Sequence, residues 1–79
     1  AFTLYPNPTK SEVFIENENV LAFVTSAEIF DTNGKKISHT KTENQPILSL
    51  NTEKLSAGFY LLKLTDNFGM TSVKKLIKN

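Results

Sequence analysis

The chain lacks cysteine and tryptophan and has a single histidine, His39, among its 79 residues. Without cysteine, no disulfide can stabilise the fold, and a zinc site would have to be built around one imidazole. A domain of this length buries only about 60 to 65% of its unfolded surface, so packing must stabilise a thin core. We therefore expect neither a cofactor nor a metal.

An excess of charge of one sign is also missing, because nine basic residues stand against eight acidic ones. Nucleic-acid binding requires a clustered basic excess, so we exclude nucleic acid as a partner. No apolar run approaches the roughly 20 residues of a membrane-spanning helix. Residues 1–8 lack the pattern of a signal peptide, so if the chain comes from an exported protein, its signal peptide is expected upstream of Ala1.

What the sequence does contain is alternation of apolar and polar residues, as at Val13 and Ile15. A period of two is typical of half-buried strands, and helical spacing is nowhere sustained. Short strands separated by turns favour an all-β fold, here a small immunoglobulin-like antiparallel β-sandwich of about seven strands. The predicted strands are 12–17, 20–24, 26–31, 35–41, 47–51, 58–66 and 70–77.

Two glycine-containing segments predict hairpins. Asn33-Gly34, after Asp31, suits the two positive φ angles of a type I′ turn, and Asp66 to Gly69 predicts a looser turn that pairs the last two strands. The Asp31-x-Asn33-Gly34 segment also has a faint likeness to part of a calcium loop. The later oxygen ligands and the terminal glutamate are missing, so we favour the hairpin.

In the strand after Gly58, Tyr60, Leu62 and Leu64 share one face, and Phe59 and Leu61 occupy the other. This strand is therefore expected to be central and covered on both faces at its start. In the last strand Lys75 interrupts the apolar parity, which predicts a bulge or an edge position. A tyrosine corner, in which a tyrosine hydroxyl bonds to upstream backbone, is predicted at Leu55, Gly58 and Tyr60.

Candidate chemical groups have simple structural explanations. His39 is best explained as a solvated strand residue, and the eight carboxylates are scattered, so we predict that the domain is not an enzyme. The aromatic residues could form a sugar-stacking platform, but most fall on core parity and are expected to pack inside. Lys74, Lys75 and Lys78 could bind an acidic partner. Their charge alone is better explained by an edge strand that is protected against pairing with another sheet.

The start of the chain predicts a stiff segment. Pro6 and Pro8 each fix φ and bias the preceding residue to extended geometry. We interpret residues 1–8 as a stiff lead-in segment and residues 9–79 as the β-sandwich.

Four sequence segments, each weak alone, follow one another along residues 4–79. The first is the opening segment, which consists of Leu4, Tyr5, Pro6, Asn7 and Pro8. The second is an alternating apolar strand that contains Val13 and Ile15. The third, Phe30 to Ile37, has the pattern apolar, Asp, x, x, Gly, basic, x, apolar. The closing segment has the pattern Leu, x, x, Gly, x, Tyr, alternating apolar residues and a basic-apolar end, carried by Leu55, Gly58, Tyr60, Leu62, Leu64, Lys75 and Leu76.

In this combination the chain resembles the type A C-terminal sorting domain of the type IX secretion system. Two small departures are an extra polar residue, Asn79, and Lys36 at a position where members vary. The resemblance implies a non-enzymatic address at the end of a larger exported protein of Bacteroidetes-type bacteria. The implied route leads through the periplasm to the cell surface or the medium. A sortase-like peptidase is expected to cut upstream of the Tyr-Pro-Asn-Pro segment, which makes residues 1–8 the expected boundary to an upstream cargo domain.

The implied partners are the outer-membrane translocon with its shuttle and sortase proteins, and the cargo in the same precursor. We expect residues 58–78 to carry most of the translocon contact, by addition of a strand to the chain's last strand and by lysine steering of an acidic surface. The candidate recognition residues are Leu62, Leu64, Val73, Lys74, Lys75, Leu76, Ile77 and Lys78. The alternative is an immunoglobulin-like adhesion or accessory module that binds carbohydrate or protein at the cell surface.

Overall fold

Seven strands form two antiparallel sheets in the computed structural model, which describes residues 2–17, 21–42 and 47–79. Sheet A has the order β1-β2-β5 and sheet B the order β4-β3-β6-β7. The predicted all-β sandwich is confirmed. The strands are β1 (Phe2–Tyr5), β2 (Glu12–Asn17), β3 (Val24–Phe30), β4 (Lys36–Lys41), β5 (Ile47–Asn51), β6 (Gly58–Asp66) and β7 (Thr71–Lys78).

Three predicted strands, 12–17, 47–51 and 58–66, are confirmed to the residue, and β3, β4 and β7 differ from prediction by one or two residues. The predicted strand at 20–24 is wrong over 21–23, which precede β3 without joining a strand. Residue 24 is the first residue of β3, and residue 20 lies outside the described residues. At 21–23 the side chain of Asn67 takes the place of a strand partner. Its Oδ1 accepts a bond from Phe23 N at 2.9 Å, and its Nδ2 donates to Leu21 O at 3.2 Å.

The strand β1 was not predicted, since residues 1–8 are expected to precede the sandwich. It pairs with β2 from Phe2 opposite Asn17 to Tyr5 opposite Phe14. Phe2 is buried and Leu4 packs against the core. Residues 2–5 are therefore part of sheet A, while the role of 1–8 as a boundary to cargo stays a prediction.

The core lies between the two sheets and is built from alternate residues of each strand. In β6, Tyr60, Leu62 and Leu64 point inward as predicted, and burial of each leucine contributes about 1.5–3 kcal/mol. The other buried members are Phe2, Val13, Ile15, Val24, Ala27, Ile29, Leu48, Leu50 and Leu76.

Two predictions about apolar residues are wrong. Phe59 and Leu61 do not cover the second face of β6, because they are 54% and 42% exposed on the outside of sheet B. Most aromatic residues also lie outside the core, since only Phe2 and Tyr60 among those described are buried. The period-two pattern fixes which residues share a face but not whether another layer covers that face.

The last strand lies at the edge of sheet B, which confirms the edge position, one of the two alternatives predicted for it. Its register with β6 runs without a shift from Gly58 opposite Lys78 to Thr65 opposite Thr71, so the bulge alternative is wrong. The order of β3, β6 and β7 follows the C-F-G order of immunoglobulin-like sheets, which supports that part of the fold prediction.

Candidate functional site

The opening Leu4 to Pro8 segment begins as a strand and then crosses from sheet A to sheet B. Tyr5 stacks on Phe14 with ring centroids 5.6 Å apart, and its hydroxyl donates to Glu16 Oε2 at 3.2 Å. The pKa of Tyr5 is raised above its ordinary value, chiefly because the phenol is partly removed from water and secondly because it is hydrogen-bonded to the Glu16 carboxylate. Tyr5 therefore anchors the segment to the outer face of sheet A.

Asn7 bonds the same segment to the outer edge of β7. Its Nδ2 donates to Lys75 O and its Oδ1 accepts from Ile77 N, each at 2.9 Å. The amide thus supplies one donor and one acceptor, as the backbone of an added strand would. Pro6 and Pro8 on either side are exposed.

Thr9 continues this attachment as a short parallel bridge to Lys78. Thr9 N donates to Ile77 O at 2.8 Å, and Asn79 N donates to Thr9 O at 2.9 Å. The Thr9 side chain is fully buried, where its hydroxyl donates to Glu12 O at 2.7 Å and lies 3.3 Å from the Thr52 hydroxyl. Together with Asn7, Thr9 covers the edge of β7 between residues 75 and 79.

Replacement of Asn7 by alanine is expected to lower the free energy of unfolding by about 1–2 kcal/mol, because two hydrogen bonds are lost and water replaces them in part. Urea denaturation of the chain measures the change. Asn33→Ala is the matched control, because Asn33 is an exposed asparagine in the loop between β3 and β4. Equal effects of the two substitutions would show that the contact with β7 contributes nothing.

The predicted tyrosine corner is present. The Tyr60 hydroxyl donates to Ser56 O at 2.6 Å, and Leu55 is half-buried against the core. Gly58 has a φ of 150°, which side chains rarely adopt, so the turn into β6 depends on glycine. These residues shape the sandwich and need no binding role to explain them.

The predicted hairpin at Asp31, Asn33 and Gly34 is present, but its turn type differs from the prediction. Gly34 N donates to Asp31 O at 3.0 Å, which places the β-turn at 31–34, and Gly34 has a φ of 86°. This is the pattern of a type I turn closed by a left-handed glycine. Asp31 Oδ1 accepts bonds from Asn33 N and Lys35 N, so its carboxylate holds the turn together.

The second hairpin repeats this arrangement at Asp66 to Met70. Asp66 Oδ1 accepts from Phe68 N and Met70 N, Gly69 N donates to Asp66 O, and Gly69 has a φ of 81°. The shared pattern Asp, x, x, Gly is therefore a turn signal in this chain, and the motif at Asp31 has a structural explanation.

The structure separates the candidate recognition residues into two groups. Leu62, Leu64 and Leu76 are fully buried, and Lys78 is 9% exposed with its ammonium donating to Lys10 O. These four residues lie inside the fold and offer a partner no free side chain. Those that remain accessible at least in part are Val73, Lys74, Lys75 and Ile77.

The outer face of sheet B, which we call the basic face, presents apolar and cationic side chains together. Leu61 lies between Phe30 on β3 and Lys75 on β7, and the Lys75 ammonium lies 4.5 Å from the centroid of the Phe59 ring. The strand registers place on this face the apolar residues Phe30, Phe59, Leu61, Val73 and Ile77 and the charged residues Glu28, Lys36, Lys41, Lys63 and Lys75.

Glu28 is the one carboxylate of the basic face among the described residues. Its Oε2 lies 2.9 Å from Lys36 Nζ and 3.3 Å from His39 Nδ1. The hydrogen bond from Lys36 and, as the next largest cause, the hydrogen bond from His39 hold the pKa of Glu28 below its ordinary range. His39 is therefore a partly exposed strand residue beside a carboxylate that is already paired with a lysine.

Residues 2–17, 21–42 and 47–79 contain no group of three or more histidine, cysteine or acidic residues placed to hold a metal. They also contain no helix long and apolar enough to cross a membrane. A cavity of about 400 Å³ at one end of the sandwich is lined by Ile29, Ile37, Ser38, Asn51, Lys54 and Leu55.

The contacts of Asn7, Thr9 and Lys10 with β7 could not be predicted, because they join residues 68 to 70 positions apart. A comparison with curated proteins found no match. A family described as the secretion system C-terminal sorting domain matches residues 3–79. The match includes both the opening segment and the strand to which it is bonded. The chain therefore belongs to the family of type IX secretion C-terminal sorting domains.

Proposed function

We propose that this domain is the address of a larger exported protein and directs that cargo across the outer membrane through the type IX secretion system. The observation that carries the proposal is the family match over residues 3–79. The family is one of sorting signals and is not an enzyme family, and such a signal implies a secreted or cell-surface cargo.

In the proposed route, the precursor crosses the inner membrane with an ordinary signal peptide and the domain folds in the periplasm. The translocon and its shuttle proteins then recognise the folded sandwich. In the folded sandwich Leu62, Leu64 and Leu76 point inward, so a partner of the folded domain contacts the sheet surfaces instead of these side chains.

A sortase-like peptidase then removes the domain by cutting before or near Ala1. The pairing of β1 supports this position, because every residue from Phe2 to Tyr5 has a partner on β2 and Phe2 is buried. A cut between residues 2 and 9 would first require β1 and the Asn7 contacts to open. Residues 1–8 thus belong to the removed domain and mark its boundary with the cargo.

A fusion experiment tests the proposal. Residues 1–79 are placed after a signal peptide and a periplasmic reporter, and the fusion is expressed in a host with a type IX system and in the same host without its translocon. We expect the reporter outside the first host only. Intact-mass measurement of the exported reporter is expected to show loss of the sorting domain.

Two outcomes would contradict the proposal. Retention of the reporter in the periplasm of the first host would show that residues 1–79 are not a sufficient address. Export that leaves the domain attached, in both hosts alike, would instead favour the adhesion or accessory module.

A further inference from the structure

The basic face exposes apolar side chains that the fold does not require. Phe59, Leu61 and Val73 are 54%, 42% and 61% exposed, although polar residues on the outside of an antiparallel sheet would satisfy the same strands. The three lie on the neighbouring strands β6 and β7, beside half-buried Ile77 on β7 and half-buried Phe30 on β3. Clustered exposed apolar residues with polar surroundings mark interaction sites.

Charge on this face is strongly asymmetric. Its four lysines, Lys36, Lys41, Lys63 and Lys75, stand against Glu28 alone, for a net charge of +3, while the whole chain carries +1. The other five lysines of the chain are outnumbered by seven carboxylates. The outer face of sheet A carries exposed Glu12 and Glu16 instead. The positive charge is therefore concentrated on the face where Phe59, Leu61 and Val73 are exposed.

The edge of β7 offers less room to a partner than this face does. Asn7 and Thr9 already occupy the backbone groups between residues 75 and 79, so strand addition could use only the part of the edge near Thr71 to Lys74. The side chains of Phe59, Leu61, Val73 and Lys75 stay accessible with the fold intact. A partner that recognises residues 58–78 in the folded domain therefore contacts their side chains on the basic face.

We propose that the basic face is the surface by which the domain docks on the secretion machinery, and that its partner there is a protein surface with an apolar centre and surrounding carboxylates. Phe59, Leu61 and Val73 supply the apolar contact, and Lys63 and Lys75 pair with the carboxylates. Charge complementarity of this kind sets orientation and speeds association. The inference rests on the proposed sorting function.

The test uses the reporter fusion with two matched double variants. Leu61→Ser/Lys75→Glu changes a directly opposed pair on the basic face. Ile47→Ser/Lys54→Glu removes an apolar side chain of similar exposure, 44%, and reverses one lysine elsewhere. We expect the basic-face variant to lower export by about tenfold or more and the control to change it by less than about twofold. Equal export of the two variants would overturn the proposal.

The unchanged fusion separates failure of this inference from failure of the sorting function. If the unchanged domain does not export the reporter, the sorting function is wrong. If it does, and the basic-face variant exports equally well, only the docking surface is wrong. Thermal unfolding of the purified variants checks that both are folded. Should Leu61→Ser/Lys75→Glu unfold, Val73→Thr/Lys75→Gln replaces it, because threonine keeps the shape and strand preference of valine.

Two further measurements test the nature of the partner. Lys75→Arg keeps the positive charge and is expected to export normally, whereas Lys75→Glu is expected to lower export. Equal export of these two variants would overturn the acidic partner. Sedimentation of purified wild-type chain is expected to show a monomer. Self-association that Leu61→Ser/Lys75→Glu abolishes would instead make the face an interface between two copies, and would overturn the proposed partner.

Discussion

A chain shortened to end at Ser72 is expected not to fold. The deletion removes six of the eight residues of β7 that pair with β6 and takes Leu76 out of the core. It also removes the backbone groups that hold Asn7 and Thr9. A domain of this size has a total stability of about 4–12 kcal/mol, which cannot absorb the loss of an entire strand. Circular dichroism and a urea titration measure the outcome.

Removal of Asn79 alone is the control for this truncation. It eliminates one backbone hydrogen bond, from Asn79 N to Thr9 O, and is expected to cost about 0.5–1.5 kcal/mol while leaving a cooperative unfolding transition. A cooperative transition in the chain that ends at Ser72 would contradict the prediction. Loss of export after deletion of the last strand therefore does not identify a recognition site, since the fold is lost with it.

Replacement of Leu76 by alanine is expected to lower the free energy of unfolding by about 2–5 kcal/mol, because this side chain is fully buried and leaves a cavity. Val73→Ala is the matched control in the same strand. Val73 is 61% exposed on the basic face, and its replacement is expected to change stability by less than about 1 kcal/mol. Urea denaturation measures both values.

The same pair of variants distinguishes folding from recognition. Leu76→Ala is expected to reduce export only as far as it unfolds the domain, whereas Val73→Ala is expected to reduce export with the fold intact. Similar loss of stability in the two variants would contradict the assignment of Leu76 to the core and Val73 to the surface.

Much of the fold could be predicted because local patterns carry it. Alternation at Val13 and Ile15 and between Tyr60 and Leu64 identifies strands and their inward sides, and glycine with aspartate identifies both hairpins. The strand β1 could not be predicted in this way. It has four residues and is followed at once by proline, so its pattern is too short to recognise.

The candidate site could be predicted only in part. The strand that follows Tyr60 and the lysines of β7 are visible in the sequence, but the alternation cannot show that Phe59 and Leu61 face solvent. The same limit affects Lys78, whose charge predicts a surface residue although its ammonium bonds to Lys10 O. These outcomes depend on contacts between distant parts of the chain.

The attachment of Asn7 and Thr9 to β7 has a mechanical consequence. The two segments run parallel, so a pull that moves residue 2 and residue 79 apart displaces them along each other instead of peeling them open. Four hydrogen bonds, two through the Asn7 side chain and two through the Thr9 backbone, then carry the load together. A pull applied between residue 2 and the end of β7 is thus resisted in shear where residues 7–9 contact β7.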